Sequence, residues 1–189
     1  MRISVITAAL PSRFDLLAQA CKSVRAQTLP AVEHLIGIDY ARRGTSAVRN
    51  DLLRASTGDW VAVLDDDDVL LPNHLATLAK AAQESPDSDI VYSYCRVEGR
   101  PGWTPNRPFD AAELERGNYI PATTIIRRAL LDTLGGWQDS RNCPNGWEDW
   151  DLWLRALDHE AQFVCAPVET WVYRFHGRNK TYLGEAAAA

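Results

Sequence analysis

Four consecutive carboxylates, Asp65 to Asp68, form the densest group of chemically competent side chains in the sequence. They follow an apolar run, residues 60–64, that predicts a strand buried on both faces. Side chains two apart on an extended segment point the same way, so Asp65 and Asp67 are predicted to hold one divalent cation. Oxygen ligands of this kind select Mn²⁺ or Mg²⁺. The alternative is a solvated acidic turn in which Asp68 caps the next helix.

A second acidic pair, Glu148 and Asp149, opens a helix predicted for residues 148–157. The apolar side chains of this helix recur at the spacing of one helical face: Trp150, Trp153, Leu154 and Leu157. This stripe is expected to face the core and the two acids to lie away from it, where one could act as a general base. The alternative is that acidic residues are simply favoured in the first turn of a helix.

Three further polar groups are candidates, although each also fits an ordinary structural role. Asp39 ends a predicted strand, where a carboxylate can accept hydrogen bonds from a nucleoside. Arg49, followed by Asn50, belongs to the next predicted helix and could pair with a phosphate. His176 follows the last predicted strand and could bind a metal ion.

The elements that must position these residues alternate along the chain. Strands are predicted at residues 2–7, 34–39, 60–64 and 89–96. Helices are predicted after a capping box at Ser12 and Asp15, at residues 45–55, and from Pro72 to about residue 84. A loop over 98–108, a strand over 123–127, a helix over 129–134 and late strands over 163–166 and 170–175 follow. This order predicts an α/β fold with a mainly parallel sheet covered by helices.

Composition excludes several classes of protein. The 189 residues are 46% hydrophobic and 24% charged, which is typical of one globular domain. The net charge of −5 argues against non-specific binding to nucleic acid or to an anionic membrane. The four cysteines are widely separated, which argues against a zinc or redox motif. With no signal peptide and no apolar run long enough to span a bilayer, a single soluble cytoplasmic domain over residues 1–189 is expected.

Taken together, the motifs resemble those of family 2 glycosyltransferases with the GT-A fold, in the same order along nearly the whole chain. They are S-V-I-T-A-A-L at 4–10, S-V-R-A-Q-T at 23–28, I-D at 38–39, A-V-R-N at 47–50, T-G-D-W at 57–60, L-D-D-D-D-V-L-L-P at 64–72, G-G-W at 135–137, W-E-D-W-D-L-W-L-R at 147–155 and Y-R-F-H at 173–176. Two departures stand out. Tyr40-Ala41-Arg42 replaces the second Asp and the Gly-Ser usual in the family, and only nine residues separate Asp39 from Arg49, where the family normally has another strand.

The resemblance implies a short, pared-down GT-A domain with a Rossmann-like sheet. A nucleotide-sugar-binding half would span residues 1–97, and a smaller acceptor-side half residues 98–189. The implied reaction is the metal-dependent, inverting transfer of a sugar from a nucleoside diphosphate sugar, with a UDP-sugar favoured, to an acceptor hydroxyl. The acceptor could be a saccharide, a protein or a modified nucleic acid.

The resemblance also implies roles for individual residues. Asp149, with Glu148 beside it, is expected to be catalytic, and Mn²⁺ or Mg²⁺ is expected on Asp67, Asp65 and His176. Residues expected to contact the donor are Thr7, Ala8, Asp39, Arg49, Asn50, Asp65, Asp66, Arg178 and Lys180. Trp103, Trp137 and Trp147 are expected to stack on an acceptor sugar, the alternative for each being core packing.

Two other classes of protein remain as alternatives. A nucleotidyltransferase shares the alternating fold and an acidic metal site, but it would be expected to carry a glycine-rich basic loop near the first strand. The corresponding stretch here, T-A-A-L-P at residues 7–11, has none. A non-catalytic module that binds nucleotide sugars or carbohydrates is the second alternative, and release of nucleoside diphosphate distinguishes it from an enzyme.

Overall fold

A computed structural model of the chain describes residues 1–139, 141–143, 147–176 and 179. Its helices and strands, in chain order, are β1 (Ile3–Ala9), a 3-10 turn (Pro11–Arg13), α1 (Phe14–Arg25), β2 (Glu33–Ile38), α2 (Thr45–Ala55), β3 (Trp60–Val63), β4 (Val69–Leu70), α3 (His74–Glu84), β5 (Ile90–Glu98), α4 (Ala111–Arg116), β6 (Thr124–Arg127), α5 (Arg128–Leu134), α6 (Glu148–Asp158) and β7 (Phe163–Arg174). The predicted α/β class is confirmed. In this described part of the chain, no helix combines the length and apolarity needed to cross a bilayer.

All seven strands form one sheet in the order β2-β1-β3-β6-β5-β7-β4. Strand β1 pairs in parallel with β2 and β3, and β5 pairs in parallel with β7. Strand β6 runs antiparallel to both β3 and β5, and β4 runs antiparallel to β7. Five strands, β1, β2, β3, β5 and β7, therefore run in the same direction, and β6 and β4 run opposite to them. The sheet is mainly parallel, as predicted, with two antiparallel strands. One of these, β6, comes from the second half of the chain and inserts between two strands of the first half.

Several local predictions are corrected. The two late strands are one strand, β7, whose register against β5 shifts beside Ser93 and Tyr94. The short strand β4 and helix α4 were not predicted. The capping box at Ser12 and Asp15 does not form, because Pro11–Arg13 is a 3-10 turn and α1 begins without a side-chain cap. Residues 40–44 lead directly into α2 without an intervening strand, as the short spacing predicts.

The sheet separates two hydrophobic cores. Along β3, Val61 and Val63 pack into one core, whereas Trp60 and Ala62 pack into the other. Both faces of this strand are therefore buried, which explains why its sequence is a continuous apolar run. Strand β3 lies between β1 and β6 near the middle of the sheet. The residues that follow it are therefore held in a fixed position at the carboxyl ends of the strands.

The end of helix α1 holds the segment that follows the four acidic residues. The Ser23 hydroxyl accepts a hydrogen bond from the Leu70 backbone N–H (3.1 Å). The Gln27 amide donates to the Leu71 carbonyl (2.7 Å) and accepts from the Leu75 N–H (2.9 Å). Gln27 is buried. These bonds give a structural reason for the Ser and Gln of the S-V-R-A-Q-T motif, since they fix β4 and the start of α3 against α1.

Replacing Gln27 should therefore destabilise the domain. Gln27→Ala leaves the Leu75 N–H without its side-chain acceptor and opens a small void, so we expect a loss of about 2 kcal/mol in the free energy of unfolding. Urea denaturation measures this loss. Gln83→Ala is the matched control, because Gln83 is exposed on α3. Equal stability of the two variants would contradict the structural role given to Gln27.

Candidate functional site

The four acidic residues, here named the acid turn, fold back on themselves. The Asp68 N–H donates to the Asp65 carbonyl (3.2 Å), so the segment is a turn and not the extended stretch that the sequence suggests. Carboxylate oxygens of Asp65, Asp67 and Asp68 lie within 4.8 Å of one another. Asp66 does not belong to this group of oxygens, and its Oδ2 accepts a hydrogen bond from the Leu10 N–H (2.9 Å). The turn thus gathers three carboxylates, one more than the predicted pair.

Arg13 is a residue of this site that the sequence analysis missed. Its Nη1 donates to Asp66 Oδ1 (3.0 Å) and to Asp67 Oδ2 (2.8 Å). Arg13 lies just beyond β1, which pairs in parallel with β3. Because the carboxyl ends of parallel neighbours meet at one sheet edge, a basic residue just past β1 could have been placed opposite the acids that follow β3.

The closing strand β7 returns to the acid turn from the other side. The Arg174 backbone N–H donates to Asp68 Oδ1 (3.0 Å), and its guanidinium donates to the Asp67 carbonyl. His176 Nε2 lies 3.1 Å from Asp67 Oδ2. The structure therefore places His176 beside the acid turn, where the resemblance expected it.

Burial and mutual repulsion shape the electrostatics of the turn. Burial, followed by the neighbouring charge of Asp67, raises the pKa of Asp65 despite its ion pair with Arg49. The same two causes raise the pKa of Asp68 well above its ordinary value. Burial also raises the pKa of Asp66. A hard divalent cation fits this set of oxygens, because it would offset the repulsion among charges that are partly removed from water.

The second acidic pair opens α6, but the two carboxylates differ in exposure. Glu148 is only 8% exposed and its Oε1 lies 3.5 Å from Arg49 Nη1. The prediction that both acids lie away from the core is therefore wrong for Glu148. The buried residues of α6 are Glu148, Asp151, Leu152, Trp153 and Ala156. Of the predicted stripe only Trp153 is among them, and Trp150, Leu154 and Leu157 are half-buried, so the predicted core-facing stripe is corrected.

Asp149 is half-buried and has a fixed orientation. Its Oδ1 accepts from the Trp150 N–H (2.8 Å) and its Oδ2 accepts from Asn118 Nδ2 (3.2 Å). Burial, with a smaller contribution from the charge of Glu148, raises the pKa of Asp149 to about 6. A carboxylate with this pKa is ionised at neutral pH and is a stronger proton acceptor than an ordinary aspartate. Asn118 was not among the predicted site residues.

The acid turn and Asp149 border the same cavity. It has a volume of about 620 Å³, which is within the range of small-molecule sites. Arg13, Asp39, Arg49 and Glu148 also line it. The residues that the sequence analysis placed in separate motifs therefore surround one space at the carboxyl ends of β1 and β3.

Of the other residues predicted to contact the donor, some line the cavity and some do not. Ala8 lines the cavity, as does Asp39, whose two carboxylate oxygens accept from the N–H groups of Arg43 and Gly44 (2.8 Å each). The side chain of Thr7 is buried and lies 2.9 Å from His34 Nε2, so the expected donor contact of its side chain is not supported. Asn50 bonds to the Trp137 backbone instead of facing the cavity. Arg178 and Lys180 lie outside the described residues.

The three predicted stacking residues also differ. Trp103 lines the cavity, with its ring centroid 5.7 Å from that of Tyr173. Trp147 lines the cavity as well and is 37% exposed. Trp137 is only 3% exposed and belongs to the hydrophobic core, so the prediction that it stacks on a sugar is wrong. Its sequence context did not reveal that Arg49 and Asn50 of α2 both contact it.

Known structures share this fold. A structure of S. aureus TarS 1–349 in complex with UDP-GlcNAc superposes with a TM-score of 0.75 at 16% identity, covering 93% of this chain and 59% of that one. The mannosyltransferase PcManGT from Pyrobaculum calidifontis, in complex with GDP-Man and Mn²⁺, gives a TM-score of 0.69 at 16% identity and covers 100% of this chain and 64% of that one. The chain thus spans about three-fifths of these two structures.

Sequence relatives agree with the structural likeness. An uncharacterised glycosyltransferase of Bacillus subtilis, YwdF, is 28% identical over 210 residues, which cover 93% of this chain and 75% of the relative. An uncharacterised glycosyltransferase of Haemophilus influenzae is 25% identical over 124 residues, which cover 61% of this chain and 41% of the relative. The model of the family described as "Glycosyltransferase like family 2" matches residues 18–186. Nearly the whole chain is matched, and the protein therefore belongs to glycosyltransferase family 2, with the GT-A fold.

Proposed function

We propose that this domain transfers a sugar, with inversion, from a nucleoside diphosphate sugar to an acceptor hydroxyl. The observation that carries the proposal is that one cavity joins three clustered carboxylates to a separate carboxylate with a raised pKa. The first group suits the diphosphate end of a donor, and the second suits the removal of a proton from an acceptor. The two functions lie on different elements, the acid turn after β3 and the start of α6.

The acid turn is the proposed site of Mn²⁺ or Mg²⁺. Asp65, Asp67 and Asp68 would hold the ion, with His176 as a further ligand. When bound, the ion supplies charge neutralisation for the leaving diphosphate. The complexes of TarS with UDP-GlcNAc and of PcManGT with GDP-Man and Mn²⁺ support a nucleoside diphosphate sugar as donor. A UDP-sugar is the favoured donor, with Asp39 and Ala8 contacting the nucleoside side and Arg13 near the phosphates.

Asp149 is the proposed general base. Asn118 and the Trp150 N–H orient its carboxylate within the cavity wall. As the acceptor oxygen forms its bond to the anomeric carbon, its proton passes to Asp149 and the bond to the diphosphate oxygen breaks. A single displacement of this kind inverts the anomeric configuration. Trp103 and Trp147, both at the cavity wall, are the proposed platforms for the acceptor sugar.

Nucleotide binding should depend on a divalent cation, because the acid turn repels a diphosphate without one. Calorimetry with UDP and GDP, with Mn²⁺ and with EDTA, measures this dependence. We expect Asp67→Asn to weaken binding in Mn²⁺ on the order of 100-fold. Asp87→Asn, an exposed position away from the cavity, is the control. Equal nucleotide affinity in EDTA and Mn²⁺ would remove the metal from the proposal.

Asp149→Asn should abolish transfer while leaving nucleotide binding nearly intact. The expected loss in kcat is on the order of 100- to 10,000-fold, measured as nucleoside diphosphate released from a panel of nucleotide sugars with acceptors. In the wild type, kcat should fall about tenfold per pH unit below pH 6, because the base must be ionised. Full transfer by the variant would show that another group takes the proton.

The loss of transfer should not arise from unfolding. The folded-state pKa of Asp149 is raised from 3.8 to about 6, so its contribution to stability is fully present below pH 3.8 and is lost as the pH rises through 6. The neutral Asn carries no such charge, so the variant should be at least as stable as the wild type at pH 7. Urea denaturation at pH 4 and pH 7 provides this control.

A further inference from the structure

We propose that Arg49 is a positioning residue that couples the acid turn to the general base. The inference rests on the proposed function and goes beyond it, because the resemblance gives Arg49 only a donor contact. Arg49 is 2% exposed. Its guanidinium lies between Asp65 of the acid turn and Glu148, the residue next to the proposed base, and it contacts both carboxylates.

The first observation is the pair of carboxylates on either side of this guanidinium. Arg49 Nη2 donates to Asp65 Oδ1 (2.6 Å), and Nη1 lies 3.5 Å from Glu148 Oε1. The Asp65 side chain is still 37% exposed, so it can face the cavity while Arg49 holds one of its oxygens. Arg49 therefore holds an acid-turn carboxylate by a hydrogen bond and, at the same time, forms an ion pair with the residue next to the base.

The second observation is the support that α2 gives to the G-G-W segment. The Asn50 side chain donates to the Trp137 carbonyl (2.7 Å) and accepts from the Trp137 N–H (2.9 Å). The Arg49 guanidinium carbon lies 5.9 Å from the centre of the Trp137 ring. At Gly136, where φ is +75°, an added Cβ would come within 2.3 Å of Asn50 Oδ1. The close approach and the backbone conformation both require glycine there.

The same segment is tied to α6. Arg155 donates to the carbonyls of Leu134 and Gly136 (2.9 Å each) and to Asp151 (2.8 Å). A continuous set of contacts thus runs from the acid turn through Arg49 and the G-G-W segment to the helix that carries Asp149. Displacement of α2 would disturb both sides of the cavity.

The third observation concerns the charges that face Asp149. They are Glu148 on its own helix, Arg49 from α2 and Asp65 from the acid turn, with Asn118 as the neutral donor. Burial and the two carboxylates raise the pKa of Asp149, and Arg49 opposes them. Arg49 thereby favours the ionised base. Lysine keeps the charge but lacks the planar fork that reaches two carboxylates together, so it should restore the function only in part.

The test compares Arg49→Met and Arg49→Lys with Arg54→Met, a change on the exposed surface of the same helix. Carboxyl ¹³C NMR of aspartate-labelled protein follows the titration of Asp149, with Asp149→Asn identifying its signal. We expect Arg49→Met to raise the Asp149 pKa by about one unit. Arg49→Lys should give a smaller rise and Arg54→Met none. This measurement needs no substrate.

Kinetics distinguish positioning from donor contact. We expect kcat to fall about tenfold or more in Arg49→Met and less in Arg49→Lys, with the donor KM changed by less than about threefold. A raised donor KM at unchanged kcat, with an unmoved Asp149 titration, would overturn the inference and make Arg49 a donor ligand. If Arg49→Met does not fold, Arg49→Lys decides, and a wild-type Asp149 titration together with wild-type kcat in that variant would overturn it.

The two proposals fail in different ways. A wild-type protein that shows no transfer with any donor contradicts the proposed function, but the NMR titration still reports on Arg49. A shifted Asp149 titration in that case supports the coupling between Arg49 and Asp149. An unmoved titration in an active enzyme, with kcat intact, contradicts the coupling alone.

Discussion

Repulsion among the carboxylates of the acid turn, Glu148 and Asp149 is the constraint on which the rest of this structure depends. Gathering these charges at one partly buried cavity is costly, and burial raises the pKa of several of them. Arg13 and Arg49 offset part of that cost from two sides, one at the end of β1 and the other on α2. Each guanidinium contacts two carboxylates, Arg13 through Nη1 alone and Arg49 through two different nitrogens. The arrangement at Arg49 fits the fork geometry of arginine better than the single ammonium of lysine.

The scaffold around the cavity serves to keep these charges in place. Strand β3, buried on both faces, fixes the start of the acid turn, and Gln27 with Ser23 fixes the segment beyond it. Strand β7 adds a backbone donor from Arg174 to Asp68. The turn is thus held at both ends before any ligand arrives. Such preorganisation lowers the free-energy cost of assembling a binding site.

Several motif residues contact the scaffold and do not line the cavity. Asn50 pairs with the Trp137 backbone, and Thr7 lies beside His34 within the sheet. Trp137 is a core residue that lies against Arg49. In this domain the G-G-W segment joins α2 to α6, so its effect on the cavity is indirect.

The sequence by itself determined the α/β alternation, the helix Thr45–Ala55 and the grouping of acids after the third strand, because these follow from local periodicity and from residue type. Only the tertiary structure decided that β6 inserts antiparallel between β3 and β5, since strand pairing depends on residues far apart in the chain. It also decided that the acids form a turn, that Arg13 and Asn118 join the site and that Glu148 is buried. Those outcomes depend on contacts between side chains from distant segments of the chain, which come together at the carboxyl ends of the strands. Local sequence patterns do not contain that information.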